Sequence, residues 1–286
     1  MKAWQSRSDT DGWLPITGAV ATRGDLVEAI RKLPVQSGVA MRVFQLLDDP
    51  SCPAKTLGEV VGTDPALLVN VLRLANSPMY GRRGRVSDPV TGVVAIGMTG
   101  LRAIVATNVS GLATPGPEWR HALTTGACAS VLAEGRAVPR LEAFTAGLLH
   151  DVGRSVQRQL QGQLLVPRDT NAITNLAAER REHHLDHTEF GRVTLESLQF
   201  PADIVDAVTS HHDEAGVVGR PLAAVVCAAN HLAHVLEDDH QPQRRFELLD
   251  QALAALGGPP VDIDAVGEAA REEAGRWSGL VVGSSA

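Results

Sequence analysis

His150 and Asp151 stand side by side at the end of an apolar helical run, Ala143-Phe-Thr-Ala-Gly-Leu-Leu-His-Asp-Val-Gly-Arg154. A neutral imidazole and a carboxylate are both good ligands for a divalent cation, and the carboxylate can bridge two of them. Neighbouring helical residues point about 100° apart, so the pair reaches one site only from slightly different sides. Gly153 loosens the helix just beyond, and Arg154 places a fixed positive charge beside the pair. Chemistry in this chain is therefore expected around His150 and Asp151.

All ten histidines fall after Leu112. The candidates to join the pair are His121, His187, His211 and His212, with Asn230 as a further oxygen donor. Imidazole and carboxylate suit zinc, iron, nickel or manganese, as one ion or two. Without a thiolate the set is not a closed structural zinc site. A cluster of this kind can also exist as a buried polar network without metal. His183 and His184 read as partners of a helix C-terminus, His240 as solvent-exposed, and His231 and His234 as core or surface residues rather than ligands.

Helical spacing supplies the elements that must position these residues. After an irregular lead over residues 1–23, a helix is expected over Asp25 to Lys32. Val39, Val43, Leu46 and Leu47 form a second stripe, ended by Asp48-Asp49-Pro50. Thr56 with Glu59 reads as a capping box, and Asp64-Pro65 as N-cap and first residue of the next helix. Ser87 or Asp88 caps a short helix over Val93 to Ile96, and Gly97 to Gly100 leads into another. Ala113-Thr-Pro-Gly-Pro117 is the strongest boundary.

Beyond it come helices over Trp119 to Glu134, Leu141 to about Gln157, Asn171 to His184 with its polar face outward, and His187 to Leu198. Asp186 and Glu189 form an Asp-type capping box for the last of these. Further helices run from Pro201 to about His211, from Pro221 to Leu236, from Phe246 to Leu256 and from Ile263 to Trp277, with residues 237–245 exposed. No convincing strand is seen. The expected fold is all-α: an N-terminal helical lobe (24–114) packed on a helical bundle (117–236), with a C-terminal helical extension (241–280).

The charge is uneven. Up to Leu112 there are 12 Lys and Arg against 9 Asp and Glu, and beyond it 14 against 24. The acidic second half argues against nucleic acid as a partner. No apolar run spans a bilayer and the first residues lack the apolar core of a signal peptide. Cys52, Cys128 and Cys227 are too few and too scattered for a disulfide framework. A cytoplasmic location away from membranes is expected.

Leu141 to Arg154 resembles the signature of HD-superfamily metal-dependent phosphohydrolases. Trp119-Arg-His121, Asp186-His-Thr-Glu-Phe-Gly191 and Ser210-His-His-Asp213 are similar to its other elements. The first half narrows the resemblance. Leu33-Pro34-Val35, Asp64-Pro-Ala-Leu-Leu68, Leu72-Arg-Leu-Ala-Asn-Ser-Pro-Met-Tyr80 and Val93 to Leu101 follow in the order of the HDOD family, bacterial regulatory domains related to HD-GYP proteins. The resemblance covers about residues 24–236.

It implies that His121, His150, Asp151, His187, His211 and His212 are metal ligands, with Asp151 bridging. The last expected acid is replaced by Asn230, a weaker ligand. Arg154 stands where relatives carry a phosphate-contacting Lys, so a nucleotide or phosphate ligand is allowed. The Gly-Tyr-Pro element of cyclic-di-GMP phosphodiesterases is absent after His212. The function implied is non-catalytic signalling through a protein partner, with Tyr80, Arg82, Arg83 and Arg85 as a candidate contact corner. The alternative is a metal-dependent phosphohydrolase or phosphodiesterase using Asp151 and Arg154.

Overall fold

The computed structural model describes residues 14–16, 19–21, 23–33, 35–81, 84–108, 116–161, 172–183, 185–237, 242–258 and 260–282. They form an all-α fold. One short antiparallel pair, β1 (Leu14–Ile16) and β2 (Ala19–Ala21), lies within the stretch before residue 24 expected to be irregular.

The first group of helices is α1 (Arg23–Arg31), α2 (Ser37–Leu47), α3 (Ala54–Val61), α4 (Pro65–Ala75) and α5 (Pro89–Asn108). Asp64 is the N-cap of α4: one carboxylate oxygen accepts from Leu67 N and the other from Gln36 N, each at 2.7 Å. The cap thereby also ties down the start of α2. Helix α3 begins after Pro53, two residues before the expected cap. The fixed φ of Pro53 and its carbonyl, which accepts from Leu57 N, start the helix, so Thr56 is inside it and forms no capping box. Helix α5 joins the two helices expected there across Gly97, whose φ of 68° interrupts it.

The second group is α6 (Pro117–Leu132), α7 (Arg140–Leu149), α8 (Val152–Gln161), α9 (Ala172–His183), α10 (His187–Ser197), α11 (Ala202–Ser210) and α12 (Pro221–Leu236). Helices α6, α7 and α12 pack on one another, α8 packs on α10, and α11 lies between α10 and α12. The single helix expected over Leu141 to Gln157 is two helices, broken at His150 and Asp151.

The groups touch where α1 packs on α8 and α10, and where Trp119 Nε1 donates to the Thr63 carbonyl at 2.8 Å. Helix α13 (Pro242–Leu256) packs on α12, and α14 (Ile263–Val282) lies against α6 and also α2 and α3. No helix among the described residues is long and apolar enough to cross a membrane. Arg82, Arg83, His184, His240 and the boundary residues 113–115 lie outside the described residues, as does the side chain of His183. Of the expected contact corner, Arg85 is exposed and Tyr80 half-buried.

Candidate metal centre

Four local devices bring the site together. The break between α7 and α8 leaves His150 as the C-cap of α7 and Asp151 in the turn that follows. Gly153 lets α8 approach the first turns of α10: a Cβ there would collide with the His187 carbonyl and come within 2.6 Å of Gly191 N. The Asp186 capping box fixes the start of α10 and therefore His187, its first residue. His211 caps α11 and His212 follows it. His121 comes from α6 and Asn230 from α12.

The seven predicted residues form one contiguous set. Ligand atoms of His121, His150 and Asp151 lie within 4.8 Å of one another, as do those of His187, His211 and His212. Asp151 joins the two groups: its Oδ1 is 3.3 Å from His187 Nε2 and 3.7 Å from His211 Nε2, and its Oδ2 is 3.7 Å from His150 Nε2. Asn230 Oδ1 lies 3.2 Å from His121 Nε2.

Hydrogen bonds behind the rings assign the tautomers. Nδ1 of His150 donates to the Gly147 carbonyl at 2.7 Å and Nδ1 of His211 to the Val208 carbonyl at 2.6 Å. Nδ1 of His187 donates to Glu179 Oε2 at 2.7 Å. In the neutral ring each Nε2 then carries a lone pair. Those of His187 and His211 face each other at 3.3 Å, and that of His150 is buried without a hydrogen-bond partner among the described residues. His212 Nδ1 is likewise buried and unpartnered. Nitrogens converging beside a carboxylate fit a cation, and those of His150 and His212 have no hydrogen-bond partner among the described residues.

The electrostatics favour the same protonation states. Burial, and then the neighbouring His211 and His121, hold His150 well below the usual imidazole range despite Asp151. Burial and Arg154 lower His187, and burial with His211 and His187 lowers His212 strongly. Burial alone would raise the Asp151 carboxyl, but Arg154 and the surrounding histidines outweigh it and hold it well below the carboxylate range. His150, His187 and His212 are thus held as neutral imidazoles beside an ionised carboxylate, the forms a metal requires.

Arg154 is already engaged. Nε donates to Asp151 Oδ1 at 3.1 Å, Nη1 donates to Glu179 Oε1 at 2.7 Å, and Nη2 lies 3.5 Å from His187 Nε2. It is a counter-charge to two acids. A cavity of about 160 Å³ opens beside it, lined by Asp151, Arg154, Arg158 and Trp119 from the second group and by Gln36 and Asp64 from the first.

Sequence reasoning missed two carboxylates. Glu179 lies on α9, whose polar face was expected outward, yet it is 2% exposed and holds both His187 and Arg154. Glu237, in the stretch read as exposed, accepts from His121 Nδ1 at 2.9 Å. Neither carries a sequence signal beyond its place within a turn or two of a candidate ligand or its helix.

The HDOD domain family matches residues 33–214. Among solved structures, the MmoQ response regulator from Methylococcus capsulatus superposes with a TM-score of 0.66 at 27% identity, over 82% of this chain and 97% of that one. A virulence factor from Campylobacter jejuni gives a TM-score of 0.63 at 14% identity, over 85% and 93% of the two chains, a likeness of fold alone. An uncharacterised protein of Treponema pallidum is 24% identical over 242 residues, which are 78% of this chain and 46% of that protein. Ribonuclease Y of Thermus thermophilus is 27% identical over 165 residues, 57% of this chain and 24% of that protein. The chain therefore spans less than half the length of these two relatives. With a match across most of both helical groups, this chain belongs to the HDOD domain family.

Proposed function

We propose that the chain is a non-catalytic regulatory domain of a signalling system, acting through a protein partner and retaining a divalent-metal centre. The observation that carries the metal is the convergence of imidazole lone pairs on Asp151 with their tautomers fixed from behind. His121, His150, Asp151, His187, His211, His212 and Asn230 would hold one or two ions of iron, manganese, nickel or zinc. When bound, such an ion supplies fixed positive charge and Lewis acidity. The similarity to the MmoQ response regulator supports the signalling role.

Two features support a centre without turnover. Asn230 leaves Asp151 as the one carboxylate among the seven residues. Arg154 is held by Asp151 and Glu179 rather than free to take a phosphate. The alternative, a metal-dependent phosphohydrolase or phosphodiesterase, is supported by the similarity to Ribonuclease Y and by the cavity that reaches Asp151.

The test is metal analysis of the purified protein, then a time course with cyclic-di-GMP and a generic phosphodiester, with manganese, iron or nickel supplied. Bound metal without turnover is expected. Metal-dependent turnover lost in His150→Ala and Asp151→Asn would install the enzyme reading instead.

A further inference from the structure

Helix α9 is fastened to the body of the molecule by charged side chains. Among the side chains described on it, Glu179 alone is buried; Leu176 and Ala178 are half-buried, and Ala177, Arg180 and Arg181 are exposed. Glu179 Oε2 accepts from His187 N at 2.8 Å and from His187 Nδ1 at 2.7 Å, while Oε1 accepts from Arg154 Nη1 at 2.7 Å. The next residue, Arg180, pairs at 2.6 Å with Asp186, the N-cap of α10. Two consecutive residues of α9 thus hold the first turn of α10, where His187 stands. We propose that α9 is a strap latched by Glu179, and that occupancy of the metal centre sets how tightly the strap is held. This rests on the metal centre proposed above.

The latch is one side chain. The start of α10 presents unsatisfied N–H groups, a favourable place for the Glu179 carboxylate. The Arg180 side chain is 54% exposed, so its ion pair with Asp186 is screened by solvent and adds little. No apolar side chain among those described on α9 is buried. Release of the helix is therefore opposed chiefly by the contacts of Glu179 with His187 and Arg154.

His187 connects the latch to the ion. Glu179 holds the ring through Nδ1, and Nε2, on its other side, faces Asp151 and His211. A cation at Nε2 draws electron density from the ring and makes Nδ1–H a stronger donor to the carboxylate behind it. A carboxylate in that position is worth about 10- to 100-fold in metal affinity. Such coupling is reciprocal: when the docked strap tightens metal binding, the metal tightens docking of the strap by the same factor. An ion that does no chemistry thereby alters a surface helix, in a form that a protein partner can sense.

Hydrogen–deuterium exchange tests this on the full chain, because it reads the opening of each helix separately. The protein is compared metal-free, with manganese and with zinc, and bound metal is measured in the same samples. Metal should slow exchange of the α9 amides by about 10- to 100-fold, and leave α2, which carries no candidate ligand, unchanged. In Glu179→Gln, α9 should exchange faster in the metal-free protein and the slowing by metal should largely disappear. Arg180→Ala keeps Glu179 and every candidate ligand, so α9 should exchange faster there while metal still slows it. Bound metal with unchanged α9 exchange in the wild-type protein would overturn the latch and leave the centre standing, however the variants fold. Absence of bound metal would overturn the centre, and the latch with it.

Discussion

Glu179 gives the proposed centre its direction. Its two oxygens take Nδ1 of His187 and Nη1 of Arg154, so one buried acid sets a tautomer and balances a cation. Burial opposes its ionisation, but the His187 hydrogen bond and the nearby charges keep its carboxyl below the usual range. Glu179→Gln should therefore weaken metal binding by about 10- to 100-fold, the usual effect of losing a carboxylate behind a ligating histidine. Chelator competition would measure this, and unchanged affinity would remove Glu179 from the centre. Asp151→Asn should cost more, because it deletes the charge between both groups of imidazoles, and Asn230→Asp should raise affinity. Asp64 gives a pH prediction. Burial pushes its carboxyl up to about 6 against the pull of backbone N–H groups from Gln36, Leu67 and Ala66. Its unfolded value is near ~3.9, so between those values the native state holds a proton that the unfolded state has lost. Stability should fall as pH rises through that window, by up to about 3 kcal/mol, and Asp64→Asn should flatten the fall. Denaturant melts at pH 4 and pH 7 compare the two, and equal slopes would mean that Asp64 titrates normally. At this scale the sequence exposed the histidines and Asp151, whose residue types and order are distinctive. It hid Glu179 and Glu237, because an acid on a polar helix looks the same whether it faces water or a buried imidazole.

Helix ends do the positioning, and close backbone approach decides how well. Helix α8 can meet α10 only because residue 153 lacks a Cβ. Gly153→Ala would drive that carbon against backbone atoms of His187 and Gly191, which cannot rotate away as a side chain could. A loss of about 2 kcal/mol or more is expected, together with weaker metal binding as His187 moves from Asp151. Gly275, in α14 with nothing within 4 Å of an added Cβ, is the control. Gly275→Ala should be neutral or stabilise by up to about 1 kcal/mol. Urea unfolding of both variants separates the effects, and equal stabilities would refute the close approach. The Asp64 and Asp186 caps were legible because an N-cap is a local chemical signal. The break at His150 was not, because the apolar spacing continues through Val152 and Val156 on its far side. The N-terminal strand pair was missed for the related reason that three-residue strands are too short to establish an alternation.

Across the whole molecule, α14 touches both groups of helices. It packs on α6 of the second group and on α2 and α3 of the first. Its anchor is Trp277, stacked on the buried Phe144 with ring centroids 4.3 Å apart. Beside it, Glu273 accepts from Trp277 Nε1 at 3.2 Å and pairs with Arg140 at 3.2 Å. The sequence identified this segment as an amphipathic helix, but its register against two separate groups depends on long-range packing that local spacing does not encode. Trp277→Ala should cost about 3–5 kcal/mol, lowering Tm by roughly 10 °C or more for a chain of this size. Because α1 still packs on α8 and Trp119 still donates to Thr63, the loss should appear as one transition at lower temperature. Removing residues 263–286 goes further: it uncovers Phe144 and takes away the helix that touches both groups. Calorimetry of that truncation should show one transition at a still lower temperature, because the α1–α8 packing and the Trp119 bond remain. A single transition at an unchanged temperature would show that α14 rides on the fold rather than holding its two halves together.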